Sequence, residues 1–241
     1  MAIERPWIVR PHKAIVKHDD NLWTVEGSLP RSEITRRMTL VRMRDGGVVV
    51  ISPVPLKDEA MKEVEAWGPI RILIPPNPYH DMDIGPYARR YPDAKVLCVP
   101  QLHKKIRDRA RVDGTLQDLP QDQGLRVQTL DGTRADEPCF VVESMTAGGG
   151  LSLVFTDSVF NHRHVGGFIG TIFRWLGSTG GPRTTKVFKL AAVRDRQAFR
   201  AAMQRVFALP SVSRVIMAHG DIVEGSEGVR NFRDLVDASL S

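Results

Sequence analysis

The sequence predicts an α/β protein in which two mixed β-sheets pack face to face with helices on the outside. Two observations lead to this prediction. Each half of the chain runs from a strand-rich segment into alternating strands and helices, an order that is typical of parallel βαβ units. In addition, no linker divides the 241 residues, so we expect a single domain over residues 1–241.

The first half contains the clearest hairpin and the clearest helix. Residues 38–43 and 48–51 flank Asp45-Gly46-Gly47, which predicts a β-hairpin, and residues 48–51 are continuously apolar, as expected of a strand covered on both faces. A helix is predicted over residues 57–67, with Gly68 ending it at a positive φ. Strands at 21–25, 70–74 and 94–99 and a helix over 83–91 complete this half.

The second half begins with three strands that read as an antiparallel meander, because turns rich in glycine separate them. These strands are residues 125–130, 139–143 and 151–155. An amphipathic helix over 195–209 then precedes a strand at 214–218. A final helix over 229–240 is predicted to bury Phe232, Leu235 and Val236.

Composition and charge limit the possible partners. Apolar residues make up 42% and charged residues 26%, which excludes wholesale disorder. No apolar run reaches the ~18 residues of a membrane span, and the first residues lack the apolar core of a secretory signal, so a cytoplasmic protein is expected. The net charge is +6, but the basic residues are dispersed along the chain. The densest basic stretch, 103–111, is interpreted as a solvated helix face in preference to a phosphate-binding patch. We therefore do not expect nucleic acid as the partner.

The two cysteines, Cys98 and Cys139, each lie in an apolar, strand-like run. Small apolar positions favour cysteine without any redox role, so we expect buried free thiols rather than a disulfide. Neither has a second cysteine nearby, which excludes a CxxC zinc or redox motif.

Polar side chains that can bind metals follow three of the predicted strands. His80, Asp81 and Asp83 follow the strand at 70–74, Asp157 follows the strand at 151–155, and His219 follows the strand at 214–218. Active groups in layered α/β folds gather where strands end, and imidazole and carboxylate are the usual ligands of zinc and non-haem iron. Three such strand ends in one chain predict a shared metal site.

Each of these residues also has a purely structural interpretation. Asp81 or Asp83 is placed to cap the helix that follows, and Asp157 to form an Asx-turn or a helix cap. A single histidine at a strand end is more often structural, although Gly220, directly after His219, allows a close backbone approach or a positive φ. His162 and His164 are interpreted as a solvated pair in a loop, in preference to additional metal ligands.

Taken together, these pieces resemble the metallo-β-lactamase superfamily, and most closely its branch of unknown function, DUF4336. The resemblance implies a four-layer αββα sandwich of two mixed β-sheets with outer helices, and it extends over residues 20–240. The pieces that carry it are Pro76-Asn77, His80, Ile84-Gly85-Pro86, Tyr91-Pro92-Asp93-Ala94, Phe155-Thr156-Asp157 and Ala218-His219-Gly220-Asp221.

The metal-binding pattern of that superfamily is only partly present here. Its first motif is His-x-His-x-Asp-His followed by Ile-Gly, and an alignment on Ile84-Gly85 places Pro78 and Met82 at two of the ligand positions. The same alignment makes Asp83 a substitute for the last histidine. The superfamily's middle histidine has no match, since residues 130–144 contain no histidine.

The resemblance therefore implies a depleted site. His80, Asp83, Asp157 and His219 would hold at most one zinc or iron ion, with Asp157 or Asp81 holding or deprotonating water. This predicts a metal-dependent hydrolase of a small-molecule substrate whose class stays open. The alternative is a binding or scaffold protein that kept the fold and lost the metal site, and the third is nucleic-acid processing. The aromatic segment 166–181 predicts a helix packed on the core. The alternative is a lid over the site or a contact in a homo-oligomer.

Overall fold

The structure is a computed structural model that describes residues 5–30, 34–120, 124–162 and 180–240. The chain divides into two compact units, the first formed by residues 1–126 and 144–147 and the second by residues 127–143 and 148–241. The expectation of a single domain over the whole chain stays a prediction.

The first unit contains a six-stranded mixed sheet. Its first four strands pair in antiparallel order, and the fourth, fifth and sixth are parallel neighbours. In spatial order the strands are β1 (Val16–Asp19), β2 (Leu22–Ser28), β3 (Thr35–Arg42), β4 (Val48–Ile51), β5 (Ile70–Ile74) and β6 (Lys95–Val96).

Helices connect the parallel strands of this sheet. Helix α1 (Asp58–Trp67) joins β4 to β5 and buries Met61 and Val64, and helix α2 (Ile84–Arg90) joins β5 to β6. Helix α3 (His103–Arg107) follows β6. Because β4 and β5 are parallel, their carboxyl ends lie at one edge of the sheet, and the loops leaving that edge carry the first group of candidate residues.

The second unit contains a five-stranded mixed sheet in the order β13-β12-β9-β8-β7. β9 is antiparallel to β8 and parallel to β12, and β13 is antiparallel to β12. A short antiparallel pair is formed by β10 and β11. The elements are β7 (Leu125–Thr129), β8 (Pro138–Glu143), β9 (Leu151–Phe155), β10 (Phe160–His162), β11 (Gly181–Arg183), α4 (Lys186–Ala191), α5 (Arg196–Phe207), β12 (Val212–Met217), β13 (Val223–Glu224) and α6 (Ser226–Leu240).

The predicted α/β class with two mixed sheets, one from each half of the chain, is confirmed. The hairpin between β3 and β4 and the antiparallel β8–β9 pair also agree with the sequence analysis. Among the described residues, no helix has both the length and the apolar composition needed to cross a membrane.

Three local predictions are wrong. Gly68 ends α1 with a φ of 175°, which is extended backbone; glycine is needed because a Cβ there would lie 2.3 Å from the carbonyl oxygen of Gly46. Leu235 is 53% exposed because the buried face of α6 passes through Phe232 and Val236, and Leu235 is turned about 100° from Val236. The apolar run 94–99 forms a strand only at Lys95–Val96.

Both cysteines are free and buried, as predicted. Burial raises the pKa of the Cys98 thiol to about 11 and that of Cys139 well above its ordinary value. The thiolate is the reactive form, so a raised pKa keeps each thiol protonated and unreactive at neutral pH.

We therefore expect iodoacetamide at pH 8 to alkylate the native protein at least about 100-fold more slowly than the urea-unfolded protein, since each unit of pKa is a tenfold change in thiolate. Mass spectrometry after timed quenching measures the rates. The unfolded protein, in which both thiols should react, is the control. Rapid alkylation of either cysteine in the native protein would contradict the prediction.

Candidate functional site

The loop between β5 and α2 is shaped by a buried asparagine. The Oδ1 atom of Asn77 accepts hydrogen bonds from the backbone N–H groups of Tyr79, at 3.0 Å, and His80, at 3.1 Å. This local turn follows from the sequence, because the two prolines after Ile74 end the strand and asparagine readily accepts from the backbone two residues ahead. The loop therefore holds the backbone of His80 in a defined position.

The imidazole of His80 is buried and contacts a serine from the neighbouring strand. Its Nδ1 atom lies 3.1 Å from the Oγ of Ser52, the first residue after β4. The two meet because parallel strands β4 and β5 end at the same sheet edge. Ser52 is not among the residues predicted from the sequence, where its only signal is its place at the end of an apolar strand.

Asp83 forms a buried ion pair with Arg36 of β3. Arg36 lies at the start of β3, which the antiparallel β3–β4 pairing places at the edge where β4 ends. The capping alternative for Asp83 is wrong, since its side chain makes no capping hydrogen bond to α2. The carboxylate is instead neutralised by a buried guanidinium that the sequence analysis did not identify.

Asp81 is likewise buried among cations. Its Oδ2 atom lies 3.0 Å from the Nζ of Lys105 and 3.2 Å from the Nε of Arg109. Lys105 also donates to the carbonyl of Pro78. The basic stretch 103–111 is therefore only partly a solvated helix face, because two of its cations pair with a buried carboxylate.

In the second unit, a buried glutamate supports the turn that carries Asp157. The Oε1 atom of Glu137 accepts from the hydroxyl of Thr156 at 2.6 Å and from the backbone N–H of Asp157 at 3.2 Å. The backbone N–H of Glu137 in turn donates to the hydroxyl of Thr133 at 2.8 Å. No spacing in the sequence indicated Glu137, which precedes β8 by one residue.

Asp157 and His219 meet at the ends of β9 and β12. The strands are parallel and pair Phe155 with Met217, so the residues that follow them reach the same edge. The Nε2 of His219 lies 3.3 Å from the Oδ1 of Asp157, and both side chains are buried. The ring of Phe160 stacks on the imidazole with a centroid distance of 5.3 Å and an interplanar angle of 7°.

Gly220 fixes the backbone just after His219. Its φ is 95°, and a Cβ there would lie 2.3 Å from the carbonyl oxygen of Asn161. That carbonyl accepts from the N–H of Asp221 at 3.0 Å, which holds the turn against β10. Both reasons expected for a glycine at this position are confirmed.

The remaining candidates lie near the Asp157–His219 pair or outside the described residues. The ring centroid of His162 lies 6.3 Å from that of His219, so His162 is a neighbour of the Asp157–His219 pair. His164 and nearly all of segment 166–181 lie outside the described residues. The homo-oligomer contact expected there therefore stays a prediction.

Solved structures with the same fold include metallo-β-lactamases. The enzyme from Hirschia baltica aligns with a TM-score of 0.59 and 16% identity over 94% of this chain and 98% of its own. The metallo-β-lactamase from Pontibacter korlensis gives 0.57 and 15% over 92% and 97%, and that from Erythrobacter litoralis 0.57 and 14% over 92% and 94%. The chain thus has the metallo-β-lactamase fold.

A family model matches part of the sequence. The model described as "Domain of unknown function (DUF4336)" matches residues 19–104, which include Ser52, His80, Asp81 and Asp83. The resemblance stated from the sequence, to the metallo-β-lactamase superfamily with DUF4336 as the nearest branch, is confirmed. No curated protein matches the sequence.

Proposed function

We propose that the protein is a metal-dependent hydrolase that uses one metal ion, with His80, Asp157 and His219 as ligands. The observation that carries the proposal is the buried contact between Asp157 and His219, an anionic and an imidazole donor 3.3 Å apart at two adjacent strand ends. His80 is a buried donor at a strand end in the first unit, and two histidines with one carboxylate form a common ligand set of catalytic zinc.

The charges around the other candidates favour a single ion. Asp83 is paired with Arg36, and Asp81 faces Lys105 and Arg109, so both carboxylates already have resident cations. Pro78 and Met82, at two positions where the superfamily has ligands, offer no donor suited to zinc. Three ligands leave one position of a tetrahedral ion for water or substrate.

A bound ion would supply Lewis acidity, polarising a substrate oxygen and acidifying water. The protein's own groups prepare the site for it. Glu137 and Thr156 hold the Asp157 turn by two hydrogen bonds, and the stacked ring of Phe160 covers one face of His219. Asp157 is a better candidate than Asp81 for the residue that holds the water or accepts its proton, because Asp81 already pairs with two cations. A lactam, a thioester and a phosphoester remain equal candidates as substrate.

The second candidate is a scaffold that kept the fold without the metal. The observation that favours it is the same set of ion pairs, since two of the five predicted site residues, Asp83 and Asp81, already pair with cations of the protein. Nucleic-acid processing is the third candidate, and the pairing of Lys105 and Arg109 with Asp81 reduces the positive charge that it would use.

Elemental analysis of protein purified without chelator tests the proposal. We expect about one zinc or iron per chain, falling at least about tenfold in His80→Ala, Asp157→Ala and His219→Ala, because each removes one of three ligands. His12→Ala is the control, since the ring nitrogens of this half-buried histidine contact backbone groups of Lys13 and Lys57. His162→Ala should also retain the metal.

Three results would change the conclusion. Two tightly held ions per chain would show that further ligands exist, with His162 and His164 the first to test. No metal at excess zinc would favour the scaffold. A metal that survives all three ligand substitutions would place the site elsewhere. If metal binds as expected, hydrolysis of lactam, thioester and phosphoester substrates by the loaded protein distinguishes the substrate classes.

A further inference from the structure

Ser52 has an unusual backbone for its position. It is 4% exposed and adopts a φ of 54°, in the left-handed region that residues other than glycine rarely occupy. It also precedes Pro53, and a residue before proline normally takes extended backbone with a negative φ. Strain of this kind persists only where the surroundings hold it, and it concentrates at functional sites.

Two contacts hold Ser52 in this conformation. Its backbone N–H donates to the carbonyl of Ile74 at 3.0 Å, which extends the β4–β5 ladder by one residue. Its hydroxyl lies 3.1 Å from the Nδ1 of His80. Ser52 therefore combines a positive φ with a hydroxyl that lies against the Nδ1 atom of His80.

We propose that Ser52 is a positioning residue that accepts a hydrogen bond from Nδ1–H of His80 and so makes Nε2 the ring nitrogen that offers a lone pair to a metal ion. A neutral imidazole carries its proton on one nitrogen only, so a hydrogen bond that Nδ1–H donates to the serine oxygen leaves the lone pair on Nε2. Metal-binding histidines commonly donate their second N–H to an oxygen in this way. This inference rests on the proposed function for its purpose, but the tautomer exists without metal.

The direct test is the tautomer of His80 in the metal-free protein, read from long-range ¹H–¹⁵N correlations of ring-labelled histidine at a pH where the ring is neutral. The expected result is a proton on Nδ1 in the wild type and a shift of the population toward Nε2–H in Ser52→Ala. A wild-type proton on Nε2, or a tautomer that Ser52→Ala leaves unchanged, would overturn the proposal.

A pair of variants separates the hydroxyl from the backbone strain. Ser52→Ala and Ser52→Gly both lose the hydroxyl, but only glycine relieves the positive φ. We expect zinc affinity, measured by competition with a chromophoric chelator, to fall about 10–100-fold and equally in both variants. The melting temperature of the metal-free Gly variant should match or exceed that of the Ala variant.

Affinity that recovers in Ser52→Gly would show that strain rather than the hydroxyl matters, and would overturn the proposal. Failure here is distinguishable from failure of the proposed function. If the wild type binds no metal yet shows the Nδ1–H tautomer lost in Ser52→Ala, the positioning role stands and the hydrolase proposal fails. If the wild type binds metal but carries the Nε2–H tautomer, the positioning role of Ser52 fails and the proposed metal site stands.

Discussion

Gly220→Ala is expected to destabilise the protein by about 2–5 kcal/mol, the sum of the cost of a left-handed residue and of an overpacked contact. The φ of Gly220 is 95°, and the added Cβ would lie 2.3 Å from the carbonyl oxygen and 2.4 Å from the carbonyl carbon of Asn161. These are backbone atoms, so no side-chain rotation can relieve the clash. The melting temperature should fall by on the order of 10 °C for a chain of this length.

Gly225→Ala is the matched control. Gly225 also has a positive φ, 80°, but no atom of the described residues beyond its chain neighbours lies within 4 Å of its Cβ position. Its substitution should cost only the backbone term, about 1–2 kcal/mol. Because Gly220 follows His219 directly, Gly220→Ala should also weaken metal binding, whereas Gly225→Ala should not. Equal destabilisation by the two variants in urea unfolding would show that the clash at Asn161 is relaxed at little cost.

The strand-end residues were predictable because their signal is local. An apolar run that stops at Thr156-Asp157 or at His219-Gly220 can be read directly from the sequence, and parallel pairing of β9 and β12 then brings the two ends together. Gly220 was also readable, since a glycine directly after a buried strand usually serves a positive φ or a close backbone approach.

The supporting residues were not predictable, because their roles depend on contacts far along the chain. Arg36 contacts a residue 47 positions away, and Ser52 one 28 positions away. Glu137 is 19 residues from Thr156. In each case, the residue type is ordinary at its position, and only the strand order of the sheet shows what it faces.

The same reasoning explains why the ion pair of Asp83 with Arg36 was not predicted. A carboxylate just before a helix predicts a helix cap, and a position aligned with a known ligand predicts metal binding. Neither pattern indicates that Arg36 of β3 would face Asp83. Arg36 is buried at the start of β3, and buried charges are nearly always paired, but only the structure shows that burial.

Arg36→Met is expected to lower the free energy of unfolding by about 3–5 kcal/mol, because it leaves the buried carboxylate of Asp83 without its cation. Arg36 and Asp83 are 5% and 7% exposed, so water cannot replace the lost partner at low cost. Asp83→Asn in the Arg36→Met background should recover part of the loss, since it removes the unpaired charge. Urea unfolding of the two single variants and the double variant completes the cycle.

Arg205→Met is the control for this cycle, since the Arg205–Asp131 ion pair has side chains 60% and 57% exposed and should contribute at most about 1 kcal/mol. Metal content measured on the same variants decides the role of Asp83. With His80, Asp157 and His219 as the ligands, Asp83→Asn should retain about one ion per chain. Loss of metal in Asp83→Asn, with the fold intact by circular dichroism, would make Asp83 a fourth ligand. A cost in Arg36→Met no greater than in Arg205→Met would show that the buried pair contributes little, because polar or hydrated surroundings then compensate the carboxylate.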